Sequence, residues 1–475
     1  MPSSMAQTQL SKLDLSPDGR AHPISATGRY INGLAFKPSD WGDEGLLIIR
    51  IQNLTNPCKP MNRTTRQVDP IYVVQRGDLL VSWSATLDAF IWDREPAVLN
   101  QHIFKVVPNA ELVSKRYLFY ALRRAIAELI KTEHLHGSTM KHINRAPFLA
   151  HMIYLPSLTE QAQIVAEIEK QFSRLDEAVA NLKRVKANLK RYKAAVLKAA
   201  VEGRLVPTEA ELAHNEGRDY ESGDRLLRRI LENRRSQPQG KGTHKELTAL
   251  DTTDLPDLPE GWTWARLDSI AALKGGITVD SKRQDPTART VSYLRVANVQ
   301  RGYLDLNEVK TINAPANDIE ELRLQPGDIL FNEGGDRDKL GRGWIWEGQL
   351  AECIHQNHVF RGRLVSQDIA PKLVSWWGNS FGKDYFQREG KQTTNLASIN
   401  LTKLSAFPVP LPPLAEQHRI VAEVDRRLSI VREGEAEVDA NLKRAQALRQ
   451  AVLARAFAPP GATCAGQSEH AAATA

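Results

Sequence analysis

The chain repeats itself at a fixed offset, and this constrains its fold more than any other feature. Residues 155–171 read LPSLTEQAQIVAEIEKQ, and residues 411–427 read LPPLAEQHRIVAEVDRR, 256 positions later and without a gap. The same offset matches Ala195-Val196-Leu197 to Ala451-Val452-Leu453, Asn100-Gln101-His102-Ile103-Phe104 to Gln356-Asn357-His358-Val359-Phe360, and Ile143-Asn144 to Ile399-Asn400. Farther upstream the register drifts, so that Gly77-Asp78-Leu79-Leu80 parallels Gly327-Asp328-Ile329-Leu330. Small insertions in loops explain the drift, because loops tolerate length changes. A repeat of this length is one structural unit used twice.

Each copy ends in a long heptad. Ile168, Leu175, Leu182, Leu189 and Val196 lie seven apart, as do Val424, Val431, Val438, Ala445 and Val452. A second seam runs through Val165, Phe172 and Val179 and through Val421 and Leu428, and weakens at Glu435. Each helix is predicted to span about 44 residues, roughly 66 Å at ~1.5 Å per residue. An apolar stripe of this kind needs a partner. Two separate amphipathic helices on separate cores would supply one. The favoured reading is that the two stripes pair antiparallel within one chain. Pro156, Pro412 and Pro413 stop the preceding extended segments, and Thr159 is expected to cap the first helix, a role that Ala415 cannot share.

The predicted fold class is α+β: two globular α/β-mixed domains separated by a pair of long antiparallel coiled-coil helices, with a pseudo-twofold internal repeat. The expected boundaries are a flexible tail at 1–22, a first domain at 23–154 and a first spacer helix at 155–205. A helix and linker follow at 206–255, then a second domain at 256–410, a second spacer helix at 411–458 and a disordered tail at 459–475. Gly203 and Pro207 close the first helix. Residues 208–235 read as one further amphipathic helix with Leu226, Leu227, Ile230 and Leu231 on one face. Within the domains, Leu46–Ile51, Val73–Trp83, Val291–Val296 and Ile329–Asn332 are strand-like, and amphipathic helices are predicted near 112–131 and 370–388. The second domain opens at Pro259-Glu260-Gly261-Trp262.

Composition excludes more than it selects. The 475 residues are too many for one ordinary core. A formal charge of +7 only nudges toward a polyanionic partner. Cys58, Cys353 and Cys464 are far apart and lack metal-ligand spacing, which fits free thiols in a reducing compartment. No apolar run approaches the roughly 20 residues that span a bilayer, so the expected location is cytoplasmic. No Gly-x-x-x-x-Gly-Lys-Ser/Thr loop, Gly-x-Gly-x-x-Gly fingerprint or His-Glu-x-x-His motif occurs. The adenine-methyltransferase motif Asn-Pro-Pro-aromatic is absent too, and Asn56-Pro57-Cys58 is its nearest string.

Three regions are candidates for contact with a nucleic acid, each with a plainer alternative. The turn His136-Gly137-Ser138-Thr139-Met140-Lys141-His142 and its counterpart Gly390-Lys391-Gln392-Thr393-Thr394-Asn395 carry short donors that fit a phosphate or base edge, or simply form polar turns. The candidates there are Ser138, Thr139, Lys141, His142, Lys391, Gln392, Thr393, Thr394 and Asn395. The segment 334–343 adds Arg337, Lys339 and Arg342 in a glycine-rich loop; its carboxylates are weak evidence for a metal, and no catalytic or metal residue is assigned. Lys183, Arg184, Lys186, Lys190, Arg191, Lys193 and Lys198 form either a solvated face or a surface for phosphates or an acidic partner. Finally, Ser82, Trp83 and Ser84 stand where the second copy has Asn332 and Glu333. A difference at matched positions suits domains that read different sequences, and also suits drift.

The motif Leu-Pro-x-Leu-x-Glu-Gln-x-x-Ile-Val-Ala-Glu at 155–167 and 411–423, with the Gly-Asp-Leu/Ile-Leu strands at 77–80 and 327–330, resembles the conserved regions of type I restriction–modification specificity (S) subunits. The resemblance runs from about 25 to 458. It implies two target-recognition domains, each reading half of a bipartite asymmetric DNA site, and helices that set the spacing and dock two modification subunits. It implies a non-catalytic chain. S-adenosylmethionine, ATP and Mg would then belong to partner modification and restriction subunits. The alternatives are the specificity chain of a related enzyme outside type I, or a coiled-coil tether that does not bind DNA.

Overall fold

The computed structural model describes residues 19–56, 58–131, 135–136, 142–236, 250–279, 285–335, 340–389, 391–392 and 397–458. The tails expected at 1–22 and 459–475 therefore lie almost wholly outside the described residues, as does 237–249 of the linker. The chain forms two compact units, residues 1–185 with 438–475 and residues 186–437. Each long helix, Leu158–Val201 and Leu414–Ala456, contributes to both.

In the first unit a four-stranded antiparallel sheet runs in the order Gly28–Asn32, Ile103–Pro108, Leu79–Ser82, Asp88–Ile91. Period-two alternation sends Leu79 and Val81 to one face and Leu80 to the other. Leu79, Val81, Phe104 and Val106 meet the apolar stripe of the helix Lys115–Leu129, where Tyr117, Leu118, Ala121 and Leu122 are buried. Leu80 and Ile103 face Leu47, Ile49, Ala97 and Leu99 of a second sheet, in which Leu46–Ile49 and Ala97–Leu99 run parallel. The strand-like run 73–83 is interrupted at Gly77, whose φ of 89° makes a turn between Val73–Val74 and Leu79–Ser82.

In the second unit the sheet order is Ala271–Lys274, Val359–Leu364, Ile329–Asn332, Gly343–Ile345, again antiparallel throughout. Ile329 and Phe331 face Leu373, Val374 and Trp377, while Leu330 faces Leu294, Cys353 and Trp346. Arg289–Leu294 and Cys353–His355 form a parallel pair beside it. The segment expected to be helical at 370–388 breaks at Ser380 into Pro371–Asn379 and Phe381–Glu389. The single helix expected over 208–235 is likewise two, Glu209–Glu216 and Gly223–Ser236. Thr208 and Glu211 form a capping box at the start of the first, and left-handed Gly217 ends it.

The first long helix is capped by Ser157, not by Thr159. Ser157 Oγ accepts from the Glu160 N–H at 3.3 Å, and the Glu160 carboxylate accepts from the Ser157 N–H at 3.0 Å. This reciprocal pair satisfies two terminal donors and places Thr159 inside the first turn. Gly203, with φ 68°, follows the helix's last turn, and the Arg204 N–H returns to the Ala199 carbonyl.

The heptad residues are placed as follows. In the first unit Ile168 and Val452 are buried, with Leu175, Leu182 and Ala445 half-buried and Val438 buried. Phe172 lies under the Arg449 guanidinium at 4.5 Å, and Arg449 pairs with Asp176. In the second unit Val196, Val424 and Val431 are buried and Leu189 is half-buried. Val196 and Ala200 share a cluster with Ile420 and Val424, and a Cβ built on Gly434 would stand 3.4 Å from Leu189. In both units the residue numbers of one helix rise as those of the other fall.

Candidate nucleic-acid interface

The Gly-Asp motif builds a turn that aims a strand. Gly77 and Gly327 both take left-handed φ, at 89° and 93°. The following aspartate folds back to accept the N–H three residues upstream: Gln75 to Asp78 at 2.8 Å, and Gln325 to Asp328 at 2.7 Å. A cation then holds each carboxylate, Lys105 at 3.2 Å from Asp78 and Arg363 at 2.7 Å from Asp328. From this pivot the strands Leu79–Ser82 and Ile329–Asn332 run to matched ends.

At those ends the backbone frame is the same and the side chains differ. The Trp83 N–H donates to the His102 carbonyl at 3.2 Å, and the Ile143 N–H donates to the Trp83 carbonyl at 3.1 Å. The Glu333 N–H donates to the His358 carbonyl at 3.0 Å, and the Ile399 N–H donates to the Glu333 carbonyl at 2.8 Å. On the first frame the Trp83 and His102 rings meet edge to face at 4.7 Å, and Trp83 Nε1–H donates to Asn32 Oδ1. On the second, His358 Nδ1 lies 2.6 Å from the Glu333 carboxylate, with His358 more than half exposed. His102 holds a left-handed φ of 71°, and Ala85, just past Trp83, holds 58°. These are the two non-glycine residues with positive φ among those described, and such strain gathers at working sites.

These strand ends also collect the segments singled out in the sequence. His142 is half-buried and bridges Ser84, while Gly334–Gly335 pairs with Ala397–Ser398, which in turn pairs with Lys391–Gln392. The glycine loop and the Lys391 turn, far apart in sequence, thus meet in one small sheet. Arg342 is half-buried, and its guanidinium donates to the Val296 carbonyl at 3.2 Å. Ser138, Thr139, Lys141, Arg337, Lys339, Thr393, Thr394 and Asn395 lie outside the described residues, and for Lys391 and Gln392 only the backbone is described. Sequence reasoning did not single out His102 and His358 as site residues. The signal was their match within the repeat, in Asn-Gln-His and Gln-Asn-His.

The duplicated Glu-Gln has its own task. Gln161 Oε1 accepts from the Ser114 N–H at 2.8 Å, at the start of Lys115–Leu129, and its amide donates to the Leu112 and Pro156 carbonyls. Gln417 does the same for the Ala370 N–H at 2.8 Å and for the Asp368 and Pro412 carbonyls. Each buried amide locks a long helix to its head's own helix, and three satisfied bonds justify burying it. The neighbouring glutamates diverge. Glu160 caps its helix, whereas Glu416 is buried and accepts from Trp262 Nε1–H and the Glu209 N–H at 2.8 Å each. Burial raises the Glu416 pKa above the ordinary range against the pull of those bonds.

Comparison with known proteins agrees with this architecture. Residues 41–191 match the family model for the type I restriction modification DNA specificity domain. The chain is 25% identical over 441 residues to the type I restriction enzyme EcoBI specificity subunit of Escherichia coli, covering 91% of this chain and 84% of that one. It is 25% identical over 468 residues to the StySPI specificity subunit of Salmonella potsdam, covering 93% and 89%. Its fold matches a chain from a structure described as the structural basis underlying complex assembly and conformational transition of the type I R-M system. There the TM-score is 0.61 at 17% identity, over 94% of this chain and 99% of that one. Fold and likeness together define a DNA-specificity protein of a restriction–modification system. More particularly, the chain is similar over most of its length to type I restriction–modification DNA specificity subunits. Among the described residues no helix is long and apolar enough to cross a membrane, and no cluster of His, Cys, Asp or Glu has the makings of a metal site.

Proposed function

We propose that each head reads one half of a bipartite, asymmetric DNA site and that the paired long helices fix the distance between the halves. What carries this reading is one architecture used twice. The sheet order, the parallel pair beside it, the Gly-Asp pivot, the strand-end frame and the Gln161/Gln417 anchor all recur at matched positions. One frame with unlike side chains suits two readers of unlike sequence. An antiparallel heptad pair is stiff, so separation and helical phase on B-DNA would be held constant.

On this reading the chain performs no chemistry of its own. Two modification subunits methylate adenine with S-adenosylmethionine, and restriction subunits use ATP and Mg. Two matched clefts suit two copies of one modification subunit. In the first unit a cavity of about 700 Å³ is lined by Phe119, Tyr120 and Phe172 and bridged by Arg116–Glu169 at 2.7 Å. In the second a cavity of about 1070 Å³ is lined by Trp376, Phe381 and Leu428 and bridged by Lys372–Asp425 at 2.6 Å. Each ion pair joins the head's helix to the long helix at the same repeat position. The test is to map modified adenines in genomic DNA from cells with the full gene set, with and without this chain. One bipartite consensus that appears only with the chain is expected. A modification pattern independent of the chain would end the proposal.

A further inference from the structure

The two heads present the same backbone frame and different chemistry at one place, and that contrast bears on specificity. In each head, the residue after the Gly-Asp strand and the histidine facing it sit on consecutive ladder bonds, extending the register Ser82 to Ile103 and Asn332 to Val359. The next strand position pairs with the conserved-offset partners His142 and Ser398, from Ser84 and Gly334 respectively. The backbone is therefore held from both sides in both heads, while the side chains at 83 and 333 are an indole and a carboxylate. A position with fixed geometry and free identity is what a reading residue needs.

We infer that position 83 in the first head and position 333 in the second are specificity-determining residues, each working with its facing histidine, His102 or His358, on a base edge in the major groove. The inference rests on the DNA-reading role proposed above and names its contacts. Glu333 has only acceptors when ionised, so it selects an exocyclic amino group, cytosine N4 or adenine N6. His358 Nδ1 lies against one carboxylate oxygen and orients the group, leaving the other oxygen for the base. Trp83 offers an apolar face and suits a thymine methyl group. It is steadied by Phe104 at 5.9 Å and by its bond to Asn32. The buried His102 Nδ1 has no hydrogen-bond partner among the described residues, and the residue's left-handed backbone is strained. Both features are tolerable where a ligand completes the site.

The experiment uses the complete modification complex expressed with its partner subunits. Modified adenines are mapped genome-wide for the wild type, Glu333→Gln, His358→Ala and Trp83→Phe, and assembly is checked by co-purification. Glu333→Gln preserves shape and packing, and Trp83→Phe keeps an aromatic ring but gives up the indole's reach and its bond to Asn32, so co-purification decides whether each variant folds and assembles. Glu333→Gln and His358→Ala are expected to change or lose one base position of the half-site read by the second head, or to slow modification there about tenfold or more, with the first half-site intact. Trp83→Phe is expected to do the converse. A wild-type consensus and rate in all three variants would overturn the assignment while leaving the DNA-reading role standing. A wild-type complex whose pattern ignores this chain would instead overturn that role.

Discussion

His355 shows how one buried side chain ties the second unit to pH. Its Nδ1–H donates to the Val359 carbonyl at 2.6 Å, and its Nε2 lacks a partner among the described residues. Burial pushes its pKa down to about 4 from 6.5, against the pull of that bond. Because the folded value is depressed, its contribution is fully present above pH 6.5 and is lost as pH falls through about 4. The loss is of order 3 kcal/mol at ~1.4 kcal/mol per unit. Thermal unfolding of the second unit should fall steeply across that window, and His355→Leu should flatten the slope. Equal slopes in both proteins would remove His355 as the cause. At the proposed DNA face, Lys141→Ala and Lys391→Ala should each weaken DNA binding by the assembled enzyme and reduce the salt slope by about one. Unchanged affinity in a salt titration would take those turns out of the interface.

The long helices carry the spacing argument. Removing one heptad from both helices shortens the pair by roughly 10 Å, about three base pairs of B-DNA. The mapped consensus should then change its gap or vanish, and an unchanged gap would count against the spacer role. Both helices were legible in the sequence because a seven-residue period is a long-range signal that survives surface substitution. Their starts were less so: Ser157 and Thr159 are both good cap residues, and only the three-dimensional return of Glu160 decides between them. The breaks at Gly217 and Ser380 were missed for a related reason. Each side of the break is helical in its own right, so helix-forming residues on both flanks conceal it. The facing of His102 by Trp83, and of His358 by Glu333, depends on ladder register, which no local pattern records.

At the scale of the molecule, the first compact unit is not a contiguous stretch of chain, whereas the second, residues 186–437, is. The core of the first contains Val452, Leu453 and Ala456, with Phe457 against Tyr117 at 5.0 Å. Truncation after residue 445 should therefore damage the amino-terminal head. Losing four such side chains removes roughly 5 kcal/mol or more. Amide exchange should then accelerate in Lys115–Leu129 and stay near wild type in Pro371–Asn379. The opposite pattern would contradict the shared core. A ribosome delivers residues 19–185 long before the segment that completes their core. The head translated first is thus the head finished last, and until residues 452–457 emerge it waits with Tyr117 and its apolar neighbours uncovered.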